Sequence, residues 1–568
     1  MSDLFRDAPV GQMIRWLSKD RLLQYPEEKD PSMYEKYLNR EKSGNMARHG
    51  QPNVPEGDQD NQDRSRHNSQ SSEPTKKEED TTVNSASGKV VDSEKGKDVN
   101  LIDWWGPNDP ECPTNWSQKK KFLVTFELCL LTTSIYIGSS IYSAGEQQIT
   151  QIFGVSTVVA TIGLTTFVAG YGLGPMIWSP MSEIPQIGRN PIYIVTLFAF
   201  IFLNFGVIYA TNIGMLFAFR FLTGFVGSPV LATGGASLAD IYVPRKRAYA
   251  VAIWGISAIC GPVLGPLVGG FAAQHEDWTW PIWELVWLCA FCWVFLMLFL
   301  PETSANNLLV RRTKRLRKLT GNQNLRCEAE LMGEDMSVKD IVIMSLVRPF
   351  TLNFTEGIVF ALNLYIALIY GLLYVWFESF VIVFIDIYGF NLGEEGLAYL
   401  GILIGAFAIL PPFFLYLYKV LEPQFDDNGD LKPEKRLPPA CVGAFMIPVC
   451  LFWFGWSARA DIHWIMPIIG SAFFSMGSVL LFNSVLNYLP DAYPEYAASV
   501  LAGNDFMRSA FGAGFPLFAR AMYDDLGVDW ASSTLGFLAI AFIPIPFALY
   551  FFGETLRKKY SKHARKDI

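Results

Sequence analysis

Apolar and polar positions in this chain segregate on a scale of about twenty residues rather than three or four. From Phe122 onward twelve apolar stretches follow one another, the first Phe122–Tyr142 and the last Trp530–Phe552. Between them lie 157–178, 191–210, 215–239, 248–272, 281–300, 356–386, 394–418, 440–457, 462–487 and 496–519. A hydrocarbon core about 30 Å thick needs roughly 20 helical residues to cross it. No water-soluble fold needs a dozen such runs. A bilayer offers no water to pair the backbone, so each run is expected to be a helix. The pattern predicts an all-α protein that crosses a membrane twelve times.

The polar remainder divides the chain. The expected layout is a cytosolic tail at 1–118, a six-helix half at 119–303, a basic loop at 304–350, a second six-helix half at 351–553 and a tail at 554–568. Within the first tail, 43–100 is rich in Ser, Asn, Gln, Glu, Asp and Lys. It buries too little apolar surface to offset its chain entropy and is expected to be disordered. Val10, Met13, Ile14 and Leu17 recur at helical spacing beside Arg15, Lys19 and Arg21. A short helix lying on the membrane fits them, and so does an ordinary amphipathic segment.

Lys and Arg orient the spans. One set of loops holds Arg189, then Arg245, Lys246 and Arg247, then Lys432, Lys435 and Arg436, with Arg311 to Lys318 in the long loop and Arg557 to Lys566 in the tail. The opposite set offers only Arg459 and Arg520. Both termini are therefore expected in the cytosol. The sequons Asn115-Trp116-Ser117 and Asn353-Phe354-Thr355 then fall inside and should carry no glycan. No short apolar run before a small-residue cleavage site opens the chain, so the first span is expected to act as the insertion signal.

Composition mainly excludes. The eight cysteines have no paired metal-ligand spacing and read as packing residues. None of the five histidines lies in a span, which argues against a buried histidine relay. No Gly-x-x-x-x-Gly-Lys-Ser/Thr loop is present, so energy must come from an ion gradient or the substrate's own gradient. No Ser-His-Asp, metal or cofactor constellation supports an enzyme.

The basic loop after the sixth span splits the membrane part six plus six. Two such halves about a pseudo-two-fold axis, with substrate near the midplane between them, make up the major facilitator fold. Gly170-Tyr-Gly-Leu-Gly-Pro-Met-Ile-Trp-Ser-Pro-Met-Ser-Glu183, followed by Gly188-Arg189-Asn190-Pro191, resembles the signature loop of the major facilitator superfamily. Its Ser-Pro-Met-Ser-Glu form is similar to that of fungal drug:proton antiporters. Span 4, with Arg220-Phe-Leu-Thr-Gly224 and Gly234-Gly-Ala-Ser-Leu-Ala-Asp240, resembles the family's intramembrane arginine motif. Span 5 carries Gly255, then Gly261-Pro262-Val-Leu-Gly265-Pro266-Leu-Val-Gly269, and resembles the antiporter motif. Trp105-Gly-Pro-Asn-Asp109-Pro110 with Asn115-Trp116-Ser117 and Pro301-Glu302-Thr303 resemble elements of fungal members. So do the opening residues from Leu4 to Glu28, in the branch of benomyl, methotrexate and azole multidrug-resistance facilitators. The resemblance covers the chain except roughly 40–100. At Trp278-Thr279-Trp280 the family commonly has Arg between the tryptophans, which weakens an outer-loop salt bridge there.

The resemblance implies export of lipophilic drug-like compounds in exchange for protons, with no cofactor beyond the proton gradient. It implies proton coupling through Arg220 and Asp240, and a plasma-membrane location. Expected partners are lipophilic drugs, protons and the lipid bilayer, with no nucleic acid and a monomeric state. The alternative is an uptake carrier or exporter for one physiological solute, such as a polyamine or nutrient. Sugar carriers of this fold resemble one another in a Pro-Glu-Ser-Pro-Arg element and a Gly-Arg-Arg loop, both missing here.

The residues also speak for themselves. Glu183 and Arg189 form a charge pair at the cytosolic rim able to latch the halves together, with Gly188 in the turn. Arg220 in hydrocarbon costs at least about 2.5–3.5 kcal/mol and needs a wet cavity or an acidic or carbonyl partner. Ser257, Gly261, Gly265 and Gly269 form a stripe at i, i+4 spacing that lets two helices approach closely, and this is expected to be the moving seam. Pro262 and Pro266 remove backbone donors and bend the helix. In span 7, Asn363, Tyr370, Tyr374, Phe377 and Glu378 fall near one face, with Tyr365 beside them. An aromatic face with one carboxylate suits lipophilic, often cationic, compounds; aromatic core packing fits as well. In span 11, Asn504, Asp505 and Arg508 lie one turn apart, as a structural ion pair or a gate. The span 7 residues, with Asn504 and Arg508, are the candidate substrate contacts.

Overall fold

The computed structural model describes residues 2–38, 100–334, 339, 343–427 and 429–566. Of the stretch expected to be disordered, 43–99 lies outside the described residues. Among the described residues eleven helical runs are long and apolar enough to cross a membrane. The spanning helices are α1 (Gln118–Phe153), α2 (Thr157–Glu183), α3 (Asn190–Ile208), α4 (Ile213–Ile241), α5 (Pro244–His275) and α6 (Trp280–Phe299). They continue with α7 (Gly357–Ile387), α8 (Leu392–Gln424), α9 (Pro438–Ser457) and α10 (Ile465–Ala492). The eleventh run, Pro494–Lys559, holds 66 residues. At 1.5 Å per residue it would be about 99 Å long, far beyond a bilayer core. Gly527 breaks it with φ 79° and ψ 161°, outside the helical region. We therefore divide it into α11 (494–526) and α12 (528–559), and the all-α, twelve-span expectation holds.

The two halves repeat one pattern of neighbours. In the first, α1 packs on α5 and α2 on α4; in the second, α7 packs on α11 and α8 on α10. Between the halves, α2 meets α11, where a Cβ on Gly172 would fall 2.5 Å from Ser509 Cβ. The Thr165 hydroxyl also donates to the Ala513 carbonyl at 2.8 Å. On the second flank α5 meets α8: a Cβ on Gly270 would fall 2.5 Å from the Leu392 carbonyl oxygen. One on Gly396 would lie 2.6 Å from that of Pro266.

The glycine stripe departs from expectation. A Cβ on Gly261 would lie 2.2 Å from Tyr136 Cβ, on Gly265 1.9 Å from Ser140 Oγ, and on Gly269 2.9 Å from Ile141 Cγ1. All three neighbours are on α1, in the same half. The stripe is a fixed seam inside one half. The seam between halves uses the adjoining face of α5, with Pro266 and Gly270.

Two structural units are distinguished, and the larger holds the spans. In it, helices Ser2–Asp7 and Pro9–Leu17 realise the amphipathic pattern near the N-terminus. Lys120 pairs with Asp7 at 3.1 Å. Met13, Trp16 and Leu17 are exposed. In the smaller unit, Leu101 and Ile102 pair in parallel with Arg326 and Cys327. There Arg315 lies 3.7 Å from the Tyr25 ring centre and 2.7 Å from Glu27. The basic stretch after α6, read as a loop, contains the helix Ala305–Thr320.

Candidate functional site

Arg220 is fully buried on α4. Its Nε donates to the Gly163 carbonyl at 3.1 Å, and its two terminal nitrogens donate to the carbonyls of Gly138 at 2.7 Å and Ser139 at 3.3 Å. The guanidinium also faces the rings of Phe167 and Tyr142, at 4.5 and 4.7 Å from their centres. Gly224 makes the approach possible, because a Cβ there would fall 2.1 Å from the Phe167 carbonyl oxygen. Arg220 thus ties α4 to α1 and α2 through carbonyl and aromatic partners.

Asp240 does not join it. Twenty residues of helix separate the two, a rise of about 30 Å. Asp240 instead accepts from Arg189 Nε at 2.8 Å. Burial works against the Arg189 charge, but Asp240, then Tyr193 and Glu183, hold its pKa above the usual arginine value. The close partner of Arg189 is therefore Asp240, not Glu183. Both lie in the first half, so this pair staples that half to itself rather than latching the two halves. Glu302, just after α6, accepts the backbone N–H groups of Arg189 at 3.1 Å and Asn190 at 3.3 Å. Gly188 turns the chain there with φ 79°, and a Cβ on it would sit 2.5 Å from Glu302 Oε2.

Between the halves runs a hydrogen-bonded bridge. The Tyr171 hydroxyl on α2 meets those of Tyr370 at 2.5 Å and Tyr374 at 3.0 Å on α7. Tyr374 donates to Ser139 Oγ at 2.9 Å on α1. Arg508 on α11 donates to the Tyr136 hydroxyl at 3.0 Å on α1 and binds Asp505. Phe377 stacks edge-on to Tyr374, with centres 5.2 Å apart.

Beside the bridge lies a cavity of about 190 Å³. Its wall runs from Trp254, Asp505 and Arg508 toward Glu183, Arg247 and Pro490 at the Arg189 side. Asn504 also lines it. Gly255 lines a second, smaller space with Tyr136, Tyr370 and Arg508.

Three expected substrate contacts lie elsewhere. Asn363 is fully buried in an amide chain, donating to Asn353 at 2.7 Å and accepting from Asn504 at 2.9 Å. Tyr365 turns toward α12, its ring centre 5.6 Å from that of Phe542. Glu378 of α7 is also buried, as is Glu146 of α1. The Thr161 hydroxyl donates to Glu146 at 3.3 Å.

Sequence reasoning passed over Glu146, Tyr136, Tyr171, Ser139 and Trp254. The first apolar run ends at Tyr142, where α1 tightens at Ser143–Gly145 before it resumes at Glu146. An acid one turn beyond a span end was the available signal.

A family model described as Major Facilitator Superfamily matches residues 128–516. Transporter mfs1 of Schizosaccharomyces pombe is 45% identical over 484 residues, 83% of this chain and 91% of the relative. Fluconazole resistance protein 1 of Saccharomyces cerevisiae is 41% identical, covering 85% and 88%. The cycloheximide resistance protein of Candida maltosa is 36% identical, covering 99% and 100%. Among solved structures, the proton:xylose symporter XylE matches with a TM-score of 0.54 at 14% identity, over 77% of this chain and 96% of that one. The human organic anion transporter MFSD10 matches at 0.52 and 14%, over 77% and 99%. At such identity these two speak for the fold alone.

Proposed function

We propose that this chain, which belongs to the Major Facilitator Superfamily, exports lipophilic drug-like compounds from the cytosol in exchange for protons. One observation carries the reading. A largely apolar cavity lies between two six-helix halves, with a polar bridge of tyrosines and Arg508 at its inner end. A site between two repeats is what alternating access requires. Relatives named for resistance to fluconazole and cycloheximide support drugs as the cargo.

The basic residues cluster at the Arg189 side, which supports placing that side and both termini in the cytosol. The cavity then faces the cytosol, and the Gly270–Leu392 contact closes the outer side. The protein acts as a monomer in the plasma membrane and uses the proton gradient without a cofactor. Glu146 and Glu378, acids buried within spans of opposite halves, support proton exchange. Arg220 fixes the α1 carbonyls at Gly138 and Ser139, next to the point where Tyr374 docks. That placement supports a link between Arg220 and the bridge.

The test is accumulation of a fluorescent lipophilic compound in overproducing cells, with and without a protonophore. Lower accumulation that the protonophore abolishes is expected. Higher accumulation would point to uptake, and indifference to the protonophore would remove proton exchange.

A further inference from the structure

Two side-chain atoms of the residues lining the cavity, Arg247 Nε and Asp505 Oδ2, are buried without a hydrogen-bond partner among the described residues, and only the second is an acceptor. Asp505 lines the cavity and is only 2% exposed. Its Oδ1 takes the guanidinium of Arg508, Nε at 2.8 Å. Its Oδ2 is buried and has no hydrogen-bond partner among the described residues. A buried carboxylate oxygen without a donor is costly unless something else supplies one.

Neighbouring side chains do not supply it. The Asn504 amide donates to Asn363 at 2.9 Å, the Asn487 amide to the Asn483 carbonyl at 2.8 Å, and the Trp254 indole to Thr132 at 2.8 Å. Arg247 lies seven residues before Trp254 on α5, about 10 Å away along the helix axis. The cavity wall also carries the apolar side chains of Leu231, Val251, Leu486 and Leu501.

Charge narrows the ligand. Arg508 already neutralises Asp505, and a second cation at Oδ2 would sit beside that guanidinium. A neutral N–H or O–H donor completes the carboxylate without that repulsion. The geometry points to Asp505 as the acceptor that selects neutral, flat, lipophilic compounds carrying such a donor, held against Trp254. This rests on the reading of the cavity as the substrate site.

The test compares carbazole with N-methylcarbazole, which share one flat ring system and differ in the N–H. Binding to the purified full-length protein in lipid nanodiscs is measured by fluorescence. The wild type should prefer carbazole about tenfold or more, since a hydrogen bond to a charged group is worth at least that. In Asp505→Asn, Arg508 claims the amide oxygen and the amide nitrogen turns into the cavity. The preference should vanish while N-methylcarbazole still binds. The double variant Asp505→Asn with Arg508→Gln removes the pair as a unit, so no lone charge is buried. It should lose the preference too. A wild type without the preference, or variants that keep it, would overturn the inference. Asp505-dependent preference in a protein that exports neither compound from cells would sustain the acceptor and count against export.

Discussion

Arg220 and Arg508 are both arginines buried within spans, yet they are held in opposite ways. Arg220 binds carbonyls and rings of its own half, in contacts that bring α1, α2 and α4 together. Arg508 binds a carboxylate on its own helix and reaches across to Tyr136 in the other half. The same contrast holds on α5, where Gly265 packs on α1 in its own half and Gly270 meets α8 in the other. A charge or a glycine in a span does not by itself announce a moving part. The partner decides: contacts within a half build a rigid body, and contacts between halves must break for access to alternate.

The sharpest test of that division is the pair Gly265→Val and Gly270→Ala. At Gly265 the new Cβ falls 1.9 Å from Ser140 Oγ and 2.7 Å from the Ile141 backbone nitrogen. Backbone cannot yield, so overpacking well beyond about 3 kcal/mol is expected and little folded protein should be recovered. Gly270→Ala should fold, because the halves can part, but should lose efflux. Yield on size-exclusion chromatography and efflux from cells separate the two. Equal yields for both variants would erase the distinction between seams.

Arg220→Ala comes next. It strips donors from three carbonyls and leaves a gap between Phe167 and Tyr142. Efflux should disappear and the unfolding midpoint of the purified protein should fall by several degrees, as loss of a buried polar network does. Arg220→Lys keeps the charge but not the planar fork, so intermediate values are expected. An unchanged midpoint with lost efflux would make Arg220 a moving part and break the comparison.

Much of this fold was legible because a bilayer demands runs that sequence cannot hide. The break between α11 and α12 falls at Gly527, inside the gap between the apolar stretches 496–519 and 530–552. The glycine stripe on α5 was legible as smallness, but its partner was not. One helix face cannot say which neighbour it meets. Asp240 was joined to Arg220 because they share a motif, although the helical rise carries them apart. Tyr136 and Tyr171 were hidden among abundant aromatics, and only the hydroxyl contacts single them out.

Tyr136→Phe probes the cross-half side more gently. It removes one acceptor from Arg508 and leaves the ring in place. The hydrogen bond involves a charged donor, worth about 1.5–3 kcal/mol when broken. The unfolding midpoint should barely move, while the balance between cytosol-facing and outward-facing forms should shift outward. Distances between spin labels on the two halves would show it. A lowered midpoint with no shift would place this contact with the rigid ones.

The smallest effect is expected where a contact lies within one half and outside the spans. Glu356, just before α7, accepts from Ser561 Oγ at 2.5 Å and from the backbone N–H groups of Lys562 at 3.1 Å and His563 at 3.2 Å. Its Oε1 also lies 2.8 Å from His563 Nδ1. Burial opposes the charge, but the Ser561 and His563 side chains and those amides hold the carboxyl below its ordinary value of 4.5. Because the folded value is the lower one, the clasp contributes fully above pH 4.5 and is lost as pH falls through the folded value. Cytosolic pH stays above that window, so efflux near neutrality should not depend on titration of this group. Hydrogen exchange at 561–566 should be slow at pH 7 and rise below pH 4.5 once corrected for intrinsic rates. Glu356→Gln should leave the tail loose at every pH with efflux nearly intact. Strong loss of efflux in that variant would mean that the tail, although bound within one half, takes part in the movement between them.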